Sequence, residues 1–89
     1  MPTLYLTSHL RRVAPSGPTR VEAATLGAAL DAYFETAPQV RSYILDDQGR
    51  LRKHVAIFID GELLVDKRDL GRSVAPSSEI YVMQALSGG

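Results

Sequence analysis

Eighty-nine residues, 45% hydrophobic and 22% charged, make one small folded domain with little spare surface for a deep, water-excluding catalytic cavity. Ten basic residues balance ten acidic ones, which argues against a general nucleic-acid or anionic-membrane binder, since either needs a basic excess. The chain has no cysteine, so disulfides, thiolate zinc sites, iron–sulfur ligation and cysteine nucleophiles are excluded together.

From the N-terminus, Thr3 to Leu10 alternates: Leu4 and Leu6 share one face, and Thr3, Tyr5 and Thr7 the other, the period of a half-buried strand. Arg11 to Pro18 carries two prolines, a serine and a glycine, a loop composition. Thr19 to Ala23 alternates again and is expected to pair back as a hairpin with Val21 inward. Thr25 has the side chain of a helix N-cap, and Leu26, Ala29, Leu30, Tyr33, Phe34 and Ala37 follow the spacing of an amphipathic helix that Pro38 ends. Gln39 to Leu45 leaves two readings open, a plain connection or one further helical turn built on Val40, Tyr43 and Ile44. Asp46-Asp47-Gln48-Gly49 is a turn.

Leu51 to Ile59 reads as the strongest strand, with Leu51, Val55, Ile57 and Ile59 on one face and Arg52, His54, Ala56 and Phe58 on the other. Asp60-Gly61 is a tight turn, Leu63 to Val65 a short returning strand, Leu70 to Pro76 irregular, and Glu79 to Leu86 the closing strand. No internal repeat or low-complexity segment is present. The element order predicts an α+β domain of the β-grasp type over residues 1–86. A mixed sheet of four to five strands, its first and last strands central and parallel, carries one main helix across one face. The expected core is Leu4, Leu6, Val21, Leu26, Leu30, Val55, Ile57, Ile80 and Val82.

One helix covers one face of such a sheet. The opposite face collects Tyr5, His54, Phe58, Tyr81 and Met83, a contiguous group of the residue types enriched at interface centres. Two readings compete: a partner-binding face, or a surface partly covered by the loop from Arg41 to Arg50. Arg11, Arg12, Arg50, Arg52 and Lys53 would form a polar rim, or be simply solvated.

Self-contained catalytic chemistry is missing. His9 and His54 have no i+4 partner and no cysteine to complete a metal set, so no metal site is expected. Ser73, Ser77, Ser78 and Ser87 lie in loops or the tail without a nucleophile-elbow motif. Asp46 with Asp47, and Asp66 with Asp69, fall in turn-like sequence where carboxylates cap turns. The glycines form no phosphate-binding loop, so no bound cofactor is expected. The absence of an apolar run long enough to span a bilayer, and of a signal-peptide pattern at the start, makes a cytoplasmic location the expectation.

What remains is the end of the chain. Ser87-Gly88-Gly89 follows the closing strand as a flexible tail, and Gly-Gly at a terminus has a chance probability of about half a percent. Lacking Cβ atoms, two glycines let a backbone thread a narrow slot and bring the Gly89 carboxylate close to another protein's active site. A frayed or vector-derived end is the alternative. A carboxylate resists nucleophilic attack until activated, for example as an acyl-adenylate, which needs a separate ATP-using enzyme because this chain offers no ATP site.

The β-grasp element order, the strand and turn Val55-Ala56-Ile57-Phe58-Ile59-Asp60-Gly61-Glu62, and the closing Leu86-Ser87-Gly88-Gly89 resemble the MoaD/ThiS family of ubiquitin-like sulfur carriers over nearly the whole chain. The resemblance implies that this protein is a carrier rather than an enzyme. A ubiquitin-activating-type adenylating enzyme would adenylate Gly89 with ATP, a sulfur donor would convert it to a thiocarboxylate, and a biosynthetic enzyme would accept the sulfide. It also implies that Tyr81 and Met83, with Phe58 beside them, press on those partners. The extended Pro38 to Arg50 segment looks more like carriers serving cysteine or thio-metabolite synthesis than compact molybdopterin or thiamine carriers. Two further readings stand beside this one: a protein modifier joined through Gly89 to lysines, and an interaction module in which only the sheet face matters.

Overall fold

A computed structural model describes residues 1–6, 18–66 and 68–84. Strands β1 (Thr3–Leu6), β2 (Thr19–Arg20), β3 (Val55–Ile59), β4 (Glu62–Leu63) and β5 (Glu79–Gln84) form one sheet in the order β2-β1-β5-β3-β4. β1 and β5 are parallel neighbours, and every other pairing is antiparallel. This is the predicted β-grasp arrangement. Parallel strands need a long crossover, which here carries the helices and the β3–β4 hairpin.

Helix α1 (Leu26–Thr36) buries Leu26, Ala29, Leu30, Tyr33 and Phe34, the face set by its 3.6-residue period. All of its first amides are satisfied. Leu26 N–H donates to the Arg72 carbonyl (2.8 Å), Gly27 N–H to the Leu70 carbonyl (2.7 Å), and Ala28 N–H to Thr25 Oγ1 (3.2 Å). Thr25 is thus the N-cap its sequence announced, and the irregular 70–74 segment completes the cap. Gly27 permits that approach, since a Cβ there would lie 3.0 Å from the Leu70 carbonyl oxygen.

Pro38 ends α1 and also opens a second helix, α2 (Pro38–Ile44), at a position where its missing N–H costs nothing. Of the open readings for this stretch, the helical one holds. Val40 and Ile44 are buried, whereas Tyr43 is 46% exposed and does not help to build the turn. α2 packs against α1, and its buried residues join the core under the sheet.

The long strand expected from Leu51 to Ile59 is shorter, running only from Val55 to Ile59. Leu51 pairs instead with Leu45 in an isolated bridge, and Val55 N–H donates to the Arg52 carbonyl, so a turn interrupts the alternation. The alternation misleads because Leu51 is buried for a different reason, as the far end of the turn that closes α2. That turn is built by Asp46, whose Oδ1 accepts from the Gln48 (2.9 Å) and Arg50 (3.0 Å) amides.

Asp60 (φ 51°) and Gly61 (φ 86°) make the two-residue hairpin between β3 and β4, both in the left-handed region such turns require. The Asp60 side chain also reaches β5. Its Oδ1 accepts from the Glu79 amide (2.9 Å), and its Oδ2 from the hydroxyl of buried Ser78 (3.0 Å), which itself accepts from the Ala75 amide. All nine residues of the expected core are buried, joined among others by Tyr33, Phe34, Val40, Ile44 and Ile59.

Candidate functional site

Strand pleating sends alternate side chains to opposite faces. Leu4, Leu6, Ile57, Ile59, Ile80 and Val82 are buried in the core. The residues between them face away from it, and register aligns them. Tyr5 lies opposite Tyr81, Tyr81 opposite Phe58, and Phe58 opposite Leu63, a row that crosses four strands. Met83 opposite Ala56 extends it toward the C-terminal end of β5. Tyr81, Met83 and Leu63 are 37%, 38% and 48% exposed, so the row is open to solvent rather than covered by the Arg41 to Arg50 segment. Val65 is more exposed still but lies outside any strand, and single exposed apolar residues carry no meaning.

The row has an ordered element. The Tyr5 and Tyr81 rings stack with centroids 4.5 Å apart and planes 9° from parallel, and the Tyr5 hydroxyl donates to Glu79 Oε2 at 3.2 Å. Desolvation, followed by that bond and the Glu79 charge, raises the Tyr5 phenol above its usual pKa. The stack fixes both rings before any partner arrives, which lowers the side-chain entropy lost on docking.

Of the residues expected on this face, the structure brings together Tyr5, Phe58, Tyr81 and Met83. His54 is not part of the row. It lies in the turn before β3 and lines a separate hollow. Leu63 belongs to the row although its sequence reading was only that of a short strand. The two-residue Asp60-Gly61 turn, which forces Phe58 opposite Leu63, is the signal that would have found it. Ser87, Gly88 and Gly89, like His9, Arg11 and Arg12, lie outside the described residues. What is described is the point of departure. Gln84, the last described residue, pairs with Val55, so the described part of the closing strand ends beside the residue that follows His54.

The hollow at that end measures about 430 Å³ and is lined by Asp46, Arg50, Leu51, Arg52, Lys53, His54 and Arg68. Arg52 is oriented by donating from Nε to the Ser42 carbonyl at 2.7 Å. Arg50 Nε lies 3.4 Å from Asp46 Oδ2. The Arg50 amide, assisted by the Gln48 amide and the Arg50 charge and opposed by some desolvation, holds the Asp46 carboxyl below its ordinary pKa. The sign follows from linkage: a depressed folded pKa adds stability that is present above the ordinary carboxylate range and is lost as pH falls through the folded value. Asp46→Ala is therefore expected to lower Tm at neutral pH and to converge with the parent in acid, as thermal melts across a pH series would read.

Among the described residues no group of three or more His, Asp or Glu side chains could hold a metal ion, and no helix is long and apolar enough to cross a membrane.

Comparison with known proteins places this architecture. No family model matches the chain. It is 33% identical over 87 residues to small archaeal modifier protein 1 of Haloferax volcanii, spanning 94% of this chain and 95% of that protein. A crystal structure of that Haloferax volcanii protein superposes with a TM-score of 0.84 at 32% identity, covering 99% of this chain and 98% of the other. CysO of Mycobacterium tuberculosis, at 18% identity, shares the fold with a TM-score of 0.83 over 97% of this chain and all of that one. A chain of the Amycolatopsis orientalis BexX/CysO complex, at 14% identity, does so with a TM-score of 0.86 over the full length of both.

Proposed function

This chain belongs to the family of small archaeal modifier protein 1, ubiquitin-like β-grasp proteins of the MoaD/ThiS type, and from that premise we propose that it is a sulfur carrier that works through the carboxylate of Gly89. The single observation that carries the reading is the open row Tyr5, Tyr81, Phe58 and Leu63 with Met83: a preordered apolar face on the strand that leads into Gly88-Gly89. A partner that grips this face holds the tail at a fixed distance from its own catalytic groups.

The chemistry is as follows. A carboxylate oxygen of Gly89 attacks the α-phosphorus of ATP held by a separate adenylating enzyme, and pyrophosphate leaves. The acyl-adenylate carbonyl is then attacked by hydrosulfide. AMP leaves, a proton is released, and a thiocarboxylate remains. No redox change occurs if the donor delivers sulfur as sulfide; a persulfide donor would also need a two-electron thiol reductant. The thiocarboxylate then gives its sulfur to a biosynthetic acceptor, and hydrolysis returns the carboxylate. Gly88 and Gly89 give the attacking end a backbone without side-chain bulk, and Ser87 is the last residue with a side chain before it enters the slot. The long Pro38 to Arg50 segment favours an acceptor in cysteine or thio-metabolite synthesis. ATP is spent on the enzyme, and the carrier needs no bound cofactor.

A second reading has its own support, the name of the 33% identical relative. A modifier uses the same adenylate, with a lysine amine of another protein in place of hydrosulfide and an isopeptide bond as product. Incubating the purified protein with ATP, sulfide and a lysate of its own host, then measuring intact mass, separates the two. A gain equal to one oxygen replaced by sulfur, mapped to Gly89, supports the carrier. A ladder of conjugates without that gain supports the modifier. Neither, with a competent adenylating enzyme shown to be present, overturns both.

A further inference from the structure

The hollow beside the chain's exit has a composition that the net charge of zero conceals. Residues 50–54 read Arg-Leu-Arg-Lys-His, with no acidic residue among them, and Arg68 joins them across the hollow. Leu51, 7% exposed, gives the lining an apolar floor, and Asp46 is the one acidic residue in that lining. Part of this charge is compensated. Arg50 lies against Asp46 at 3.4 Å and Arg68 against Asp66 at 3.3 Å, both in solvent, where such pairs are weak and exchange easily. Arg52 is held by a neutral carbonyl, which orients the guanidinium without cancelling its charge.

Position turns composition into a site. Val55 pairs with Gln84, so the hollow sits at the same end of the sheet from which the chain runs toward Gly89. Residues 85–89 cannot span more than about 18 Å, at roughly 3.3–3.6 Å per residue. Any protein that holds Gly89 in its active site therefore brings the mouth of that site against the hollow. We propose that this hollow is a docking site for an acidic segment at the mouth of the partner that receives the tail, with aspartate or glutamate side chains meeting Arg50, Arg52, Lys53 and Arg68 and an apolar side chain over Leu51.

The proposal rests on the carrier reading only for the identity of the partner; the acidic, amphipathic chemistry of the ligand follows from the hollow itself. Its role is separate from that of the tyrosine row. The row supplies buried apolar contact, whereas clustered rim charges accelerate and orient encounter and are sensitive to salt. A nucleic acid would use the same charges, but it would pair poorly with an apolar floor, and the chain as a whole carries no basic excess to hold a polyanion.

The test has two arms. In the first, a fluorescein-labelled peptide alternating glutamate and leucine is titrated into the ¹⁵N-labelled full chain, with oligouridylate of equal charge as competitor. Shifts centred on residues 50–54 and 68 are expected, with affinity falling as salt shortens the range of exposed charges and falling about tenfold in the Lys53→Glu, Arg68→Glu double variant. Both sites are exposed, and an unchanged melt shows that the variant is folded. Shifts elsewhere, no effect of the variant, or tighter binding of the oligouridylate overturns the proposal. In the second arm, ATP–pyrophosphate exchange by the host adenylating enzyme is measured. The double variant should raise KM for the carrier at low salt and leave kcat unchanged; an unchanged KM overturns the assignment of the partner. If no exchange occurs even with the parent chain, the carrier reading fails while the peptide arm still stands or falls by itself.

Discussion

Deleting Gly89 is expected to abolish adenylate formation while leaving the melting curve where it was. The last described core residue is Val82, seven positions before Gly89, so the described packing is expected to survive the loss. The chemical cost is of another order. Removing one residue withdraws the terminal carboxylate by roughly 3.3–3.6 Å. Attack requires the reacting atoms within about 3–3.5 Å of each other, and a misplacement of about 1 Å can already cost a hundredfold. A retreat of a full residue, on a tail whose base is fixed by the docked face, takes the rate below detection in pyrophosphate exchange. Adding a residue after Gly89 should fail equally, because the overhang pushes the carboxylate past the same point. Gly88→Val separates length from bulk. It keeps the reach but puts a branched side chain where the slot must close on bare backbone, so exchange should fall steeply through KM. If the deletion variant is still thiocarboxylated, Gly89 is not the reacting residue.

Most of the fold was legible because the chain obeys simple periods. The 3.6-residue spacing from Leu26 to Phe34 and the strict alternation in Val55–Ile59 and Glu79–Gln84 each name a buried face, and all nine residues of the expected core are buried. Where the reading fell short, a long-range partner had overridden the local pattern. Leu51 alternates in phase with Val55, yet it is buried by pairing with Leu45 across the Asp46 turn, a contact no local period encodes. Pro38 is a stop signal for one helix and a start signal for the next, and a window centred on α1 sees only the first. The site divides in the same way. Tyr5, Phe58, Tyr81 and Met83 were recoverable from parity once three strands were placed, because the pleat fixes their face. His54 has the right parity but lies in a turn before the strand begins, where parity no longer sets direction. The basic hollow could be seen as a run of charges in sequence. Its concavity, and the arrival of Arg68 from a distant loop, could not.

Met83→Asp is expected to raise KM for the adenylating enzyme by about 30- to 100-fold with little change in kcat, the loss that follows when a central apolar anchor of an interface is replaced by a charge. The same strand makes the control internal. Val82, next in sequence, is fully buried and faces Leu6 and Ile57, so Val82→Asp would bury an unpaired charge and unfold the chain. Met83 sits 38% exposed opposite Ala56 on the open face, so an aspartate there remains hydrated in the free protein and costs stability only through its weaker strand preference, under about 1 kcal/mol. The penalty appears when a partner closes over it and the carboxylate must be stripped of water without a counter-charge. Val65→Asp tests whether exposure or position matters, since Val65 is the more exposed of the two yet stands apart from the row. Its KM should stay within about twofold, the change expected of a surface residue outside a binding hot spot. If Met83→Asp and Val65→Asp behave alike in pyrophosphate exchange, the open face is not what the adenylating enzyme grips. If Met83→Asp alone fails, the alternation of β5 separates two tasks: Ile80 and Val82 hold the domain together, and Tyr81 and Met83 present it to the enzyme that activates its end.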